Sequence, residues 1–268
     1  MKRNRNQIDE SKDKKGIKLS KFSVDDTRHT DTEIIPDNID NSEDDDNNTN
    51  MHVNDNEKRK IIVILDKASL ETVKTKKGEF QLMNCDDHLS VMRKHSKNPE
   101  DYRPDIIHQE LMAVLDSPLN KAGLVKVYIH TDKNVLIEIN PATRIPRTFK
   151  RFSGLMVQLL HKLKIRSADG KDVLLKVIKN PISRHLPAGA VCYGFSQKGV
   201  LHKPSHFANK LPENGPIVLI LGAMATGSIN NNDHPYMQEV ISISQYPLSG
   251  VVAINRVLGA IENYLGVI

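Results

Sequence analysis

Tryptophan is absent from this sequence, cysteine occurs twice, and no long apolar run is present. Each shortage excludes something. Without tryptophan, any stacking on nucleic-acid bases falls to six Tyr and six Phe. Cys85 and Cys192 make no C-x-x-C pair and cannot form a disulfide framework, which points to a reducing compartment. No window approaches the ~18 consecutive apolar residues of a membrane span, so no membrane partner is expected. The first residues are charged and carry no apolar segment of the signal type, so no secretory leader is expected.

What is present is unevenly distributed. Residues 1–59 hold 11 basic and 15 acidic residues, with runs such as Asn41-Ser42-Glu43-Asp44-Asp45-Asp46 and no apolar period. Such a stretch buries too little surface to offset the entropy of ordering, and it is expected to be a disordered, low-complexity tail. Residues 60–268 hold 27 basic and 18 acidic residues and form the expected folded domain. A basic domain favours nucleic acid or an anionic surface.

The β-branched run Ile61-Ile62-Val63-Ile64-Leu65 reads as a strand buried on both faces. Strands are also expected at 125–129, 135–139, 174–178, 190–195, 217–221 and 239–243. The strands at 125–129 and 135–139 are joined as a hairpin through Asp132-Lys133-Asn134. Helices are expected near 87–96, for about a dozen residues after Arg103-Pro104-Asp105, to about Leu163 after the basic stretch at 144–154, and after Ser249. Residues 67–78 and 197–216 read as polar connections, with Gly78 as a turn and a short helix near His206–Leu211. Alternating strand, loop and helix predicts an α/β fold with a mostly parallel sheet.

Four stretches carry candidate chemistry. Arg144, Arg147, Lys150 and Arg151 fall within eight residues that contain no acid. An apolar strand and an apolar helix flank them, which anchors a cationic surface suited to phosphates. Pro146 places Arg144 and Arg147 on the entering loop and Arg151 in the first turns. Gly222-Ala223-Met224-Ala225-Thr226-Gly227-Ser228 follows a strand and lets backbone amides approach a ligand. It lacks the lysine of G-x-x-x-x-G-K-[ST], which weakens a triphosphate reading, and a tight turn is its plain alternative. Ile243 to Gly250 also follows a strand; two such loops at the carboxyl ends of neighbouring strands would make one pocket, and an ordinary strand-to-helix connection is the plainer reading. Arg103 and Asp105 flank Pro104, so that Asp105 either serves the helix start or holds Arg103. Neither Cys85-Asp86-Asp87-His88 nor His202-Lys203-Pro204-Ser205-His206 has the geometry of a ligand set, and no metal is expected.

From Lys60 to Ile268 the chain resembles the nucleolar essential protein one family. The strings that carry the resemblance are Arg103-Pro104-Asp105, Leu115-Asp116-Ser117-Pro118, Asn140-Pro141, Arg144 to Gly154, Lys179-Asn180-Pro181-Ile182, Leu221-Gly222-Ala223-Met224 and Tyr246-Pro247-Leu248-Ser249. The resemblance implies a SPOUT-class α/β fold, with flanking helices and a carboxyl-terminal trefoil knot. It implies S-adenosyl-L-methionine-dependent methylation of ring nitrogen 1 of a pseudouridine in small-subunit ribosomal RNA. It also implies a homodimer, pre-ribosomal assembly factors as partners, and a nuclear, nucleolar location. Carried over by position, Phe195, Gly222, Gly227, Ile243, Ser244, Gln245, Tyr246, Pro247 and Leu248 would bind the cofactor. Arg103, Arg144, Arg147 and Arg151 would bind RNA. Arg103 and Asp105 would serve catalysis, Asp105 by positioning Arg103 or by helping to take the nitrogen proton.

Overall fold

A computed structural model describes residues 60–268. The tail expected over 1–59 lies outside them.

The frame is an eight-stranded sheet. Its strands in chain order are β1 (Ile61–Ala68), β4 (Val125–Thr131), β5 (Leu136–Ile139), β6 (Lys164–Arg166), β7 (Val173–Ile178), β8 (Val191–Leu201), β9 (Ile217–Gly222) and β10 (Glu239–Ser242). A separate two-stranded ribbon pairs β2 (Thr72–Lys74) with β3 (Phe80–Leu82). Across the large sheet the order is β10-β8-β9-β1-β4-β5-β7-β6. The first five of these are parallel and the last three join antiparallel. The hairpin between β4 and β5 forms as expected, with Asn134 in the left-handed region.

β1 shows why the centre is apolar throughout. Ile61, Val63 and Leu65 point into one core, and Ile62 and Ile64 into another. All five are at most 2% exposed. Burial of each such side chain contributes about 1.5–3 kcal/mol. The helices that close the first core are α2 (Pro104–Asp116), α4 (Phe149–Lys162), α5 (Pro204–Lys210) and α6 (Gly250–Leu265). The second core is covered by the irregular segments around Ile182, Ile229 and Met237 instead. The short helices α1 (Leu89–Lys94) and α3 (Pro118–Lys121) complete the set. Ser249 occupies the cap position of α6 but makes no side-chain cap.

Two departures from the sequence reading matter. Residues 197–201 belong to β8 and are not part of a polar connection. β8 meets β10 in two pieces: Gly194 pairs with Val240, but Val200 pairs with Ile241, so residues 195–199 are looped out of the ladder. A bulge of this kind re-aims side chains, and here it hides the strand's period. Gly199 permits the approach, since a Cβ there would lie 2.6 Å from the carbonyl carbon of Ile241. The second departure is β6, Lys164–Arg166, where the sequence reading expected no strand.

The connection from β9 skips β8 to reach β10 at the sheet edge. A crossing of this kind is what a carboxyl-terminal knot is built from. The connection is fixed by Asp66, which is 1% exposed at the end of β1. Its carbonyl accepts from Ala223 N at 2.7 Å. Its carboxylate accepts from His234 Nε2 at 2.8 Å and from His130 Nδ1 at 2.7 Å. Burial opposes the charge on Asp66, but the hydrogen bonds from His130 and His234 outweigh it and hold the carboxyl well below the usual range. His130 in turn is raised by its bond to Asp66, and its other nitrogen meets Asn134 Oδ1 at 3.0 Å. A ring donating from both nitrogens is an imidazolium. Lys67 bulges outward beside Asp66, with φ 58°, and pairs with Asp233 at 2.6 Å.

Replacing Asp66 by Asn should lower stability by about 3 kcal/mol, because buried His234 and half-buried His130 lose their anion. Denaturant titration reads this, and a loss below about 1 kcal/mol would mean that packing alone holds the connection. The sign of the pH effect is fixed by His130. Its raised pKa makes its contribution complete below 6.5, the unperturbed value, and lost as pH rises through the folded value. A His130→Gln variant should therefore lose less stability than wild type between pH 6 and pH 8.

Candidate active site

The carboxyl ends of β8, β9 and β10 lie side by side and enclose a cavity of about 310 Å³. The looped-out residues of β8 make one wall with Phe195, Ser196, Gln197 and Lys198. The floor is the end of β9, Leu221 and Gly222, followed by Met224, Ala225, Gly227, Ser228 and Ile229. Ile243, Ser244, Tyr246, Pro247 and Leu248 close the third side, with Gly250 and Ala253 of α6 behind them.

Of the nine residues assigned to cofactor binding, Phe195, Gly222, Gly227, Ile243, Ser244, Tyr246, Pro247 and Leu248 line this cavity. Gln245 does not line it. Gly227 has φ +109°, a conformation other residues adopt only under strain. At Gly222 a Cβ would meet the Met224 side chain at 2.9 Å. Tyr246 is 72% exposed and stands at the mouth. The sequence reading missed Lys198, a cation in the wall, because it sits in the segment taken for a polar connection. Gly250, the end of the expected loop, does line the cavity, as the first residue of α6.

The cationic residues gather around α2. Arg144 and Arg147 lie on the entering loop and Arg151 in the first turns of α4, all exposed. That segment is seated on α2 by His108, whose Nε2 lies 2.8 Å from Pro146 O and whose ring stacks on Phe152 at 4.4 Å. Arg147 reaches Asp116, the last residue of α2, through both guanidinium nitrogens. At the other end of α2, Arg103 donates to Asp105 from Nε at 2.8 Å and from Nη2 at 2.7 Å. This bidentate bond draws Asp105 below the usual carboxylate range and keeps Arg103 fully charged. Asp105 thus sits in the first turn of α2 as the holder of Arg103, with both oxygens occupied. Among the described residues no group of three or more His, Cys, Asp or Glu is arranged to hold a metal ion. His88 is taken up locally, by Asn84 N at 3.3 Å and Gln81 at 3.2 Å.

A mostly parallel sheet whose last three strands share one cavity, reached by a crossing connection, defines a SPOUT-class methyltransferase fold. The chain belongs to the EMG1/NEP1 methyltransferase family, whose model matches residues 63–262. It is 51% identical over 212 residues to the ribosomal RNA small subunit methyltransferase NEP1 of Mus musculus, covering 78% of this chain and 84% of that protein. It is 34% identical over 200 residues to the Nep1 protein of Staphylothermus marinus, covering 72% of this chain and 84% of the archaeal one. Among solved structures, Archaeoglobus fulgidus Nep1 bound to S-adenosylhomocysteine superposes with a TM-score of 0.65 at 25% identity, over 77% of this chain and 99% of that chain.

Exchanging Gly222 for Val should fill the floor of the cavity, lowering affinity for an adenosyl ligand at least tenfold while thermal unfolding changes little. Unaltered affinity in calorimetry would show that the Gly222 loop is only a turn.

Proposed function

We propose that this chain transfers a methyl group from S-adenosyl-L-methionine to ring nitrogen 1 of a pseudouridine in small-subunit ribosomal RNA. The observation that carries the reading is the placement of one helix, α2, between the cavity and the cationic segment. The relatives' activity and the S-adenosylhomocysteine held by the archaeal neighbour support it. The cavity suits the cofactor: its volume falls in the range of small-molecule sites, its walls include apolar Leu221, Ile243 and Leu248, and glycine leaves the floor open. The reading carries with it a homodimer, pre-ribosomal assembly factors as partners, and a nucleolar location. No helix among the described residues is long and apolar enough to cross a membrane.

The cofactor supplies an electrophilic methyl group on a sulfonium. The rest of the task falls to this chain's residues, and it is mainly positioning. Arg144 and Arg151 hold the RNA backbone. Lifting the target base out of its stack suits a loop better than a duplex. Ring nitrogen 1 sheds its proton to solvent water, and the Arg103 guanidinium, aimed by Asp105, stabilises the anion left behind. Asp105 is a weak base in this pairing, so its part is to fix Arg103.

Three measurements test the reading. A short RNA hairpin carrying pseudouridine should accept a methyl group while its uridine counterpart does not; equal transfer to both would overturn the target assignment. Arg103→Lys keeps the charge but loses the fork that Asp105 grips, and should reduce kcat about 10²-fold with RNA affinity nearly unchanged. Arg151→Glu should do the reverse, weakening RNA binding and leaving cofactor affinity alone. Arg151 is the cleaner choice because Arg147 is already tied to Asp116.

A further inference from the structure

Glu110, in the middle of α2, is 0% exposed, and neither carboxyl oxygen has a hydrogen-bond partner among the described residues. Its side chain presses on Gly250, the first residue of α6. A Cβ built on Gly250 would lie 1.7 Å from Glu110 Oε1 and 2.7 Å from Cδ. Gly250 also lines the cavity. That glycine therefore touches the buried carboxyl on one side and lines the proposed cofactor site on the other. The amino end of α6 carries partial positive charge, yet it has no side-chain cap and no acid in its first turn. Glu110 is the acid that faces it, supplied by another helix.

We infer that Glu110 is a positioning residue that senses charge in the cavity and favours the cationic methyl donor over its neutral demethylated product. This rests on the cofactor reading above. Burial alone pushes the Glu110 carboxyl up to about 8. No titratable group of α6, β1, α3 or α4 contributes, Arg256, Glu262, Asp66, Lys121, Arg151 and Lys162 included. In the empty protein near neutral pH the group is mostly protonated. A net positive ligand beside the positive end of α6 favours the carboxylate, so binding releases a proton. Methyl transfer removes one positive charge from the ligand. Glu110 then takes a proton back, and the product is held less tightly than the donor. In a cavity of this size, the charge difference acts at short range across a poorly screened wall.

The test is calorimetry on the full chain from pH 6.5 to 9, in buffers of different ionisation enthalpy, with S-adenosyl-L-methionine and S-adenosylhomocysteine. The ligand's own ammonium titrates nearby, so the quantity read is the difference between wild type and Glu110→Gln. Across that range wild type should gain about tenfold more affinity for the donor than the variant does, and should release the extra proton. For the product the two proteins should stay within about twofold of each other. Glu110→Ala, which lacks the carboxyl by another route, should match Glu110→Gln in pH profile. Parallel shifts for donor and product, or an unchanged donor profile in both variants, would overturn the inference. If the folded wild-type chain binds neither ligand, the cofactor reading itself fails, and this inference with it.

Discussion

The pocket of this protein hangs on one buried anion. Asp66 ends the central strand, and it holds both ends of the connection that leads from β9 to β10: Ala223 through its carbonyl and His234 through its carboxylate. His130 binds the same carboxylate from β4. β4 and the β9–β10 connection, far apart in sequence, thus converge on one residue with almost no solvent contact. A buried carboxylate answered by two histidines tolerates little displacement, since moving either partner leaves charge uncompensated. The connection so fixed carries Gly227, Ser228 and Ile229 into the cavity. The shape of the site is set by a group that does not touch it.

Helix α2 provides the second constraint. Along thirteen residues it grips Arg103 at its start, the 144–152 segment at His108, the amino end of α6 at Glu110, and Arg147 at its end. Residues on different faces of one rigid rod serve the cationic surface and the cavity at once. A helix is well suited to this, because its side chains diverge from a backbone whose own hydrogen bonds are already met.

Much of this was legible in the sequence, and the exceptions have a common cause. β1 and β9 announced themselves because burial on both faces demands unbroken apolar runs. α2 and α6 showed through the helical period of their buried residues, and Gly222 and Gly227 through the small residues that follow a strand. The Asp66–His130–His234 cluster left no signal, since its members lie 64 and 168 residues from the carboxylate. The Glu110–Gly250 contact was equally silent: helical spacing sets Glu110 on the same face as Ile107 and Leu111, but only the packing of α6 shows what it meets. The second half of β8 was misread because residues 195–199 leave the ladder to face the cavity, where side chains are chosen for contact and lose strand alternation. The family resemblance supplied the roles of individual residues, which spacing alone left open between ligand loop and simple turn.

The crossing from β9 over β8 to β10 bears on how the molecule comes into being. Every wall of the cavity needs strands that pair across long stretches of chain, and α6, its last support, follows all of those strands in sequence. Contacts between residues so distant form late and slowly. During synthesis, β1 and β4 are made long before β9 can slot in beside β1, and the cavity has no closed form until the last helix is available. A nascent chain therefore has no partial site with which to engage ligand. Competence arrives in one step, once α6 is in place, and a truncation within α6 would remove the capacity to bind as a whole.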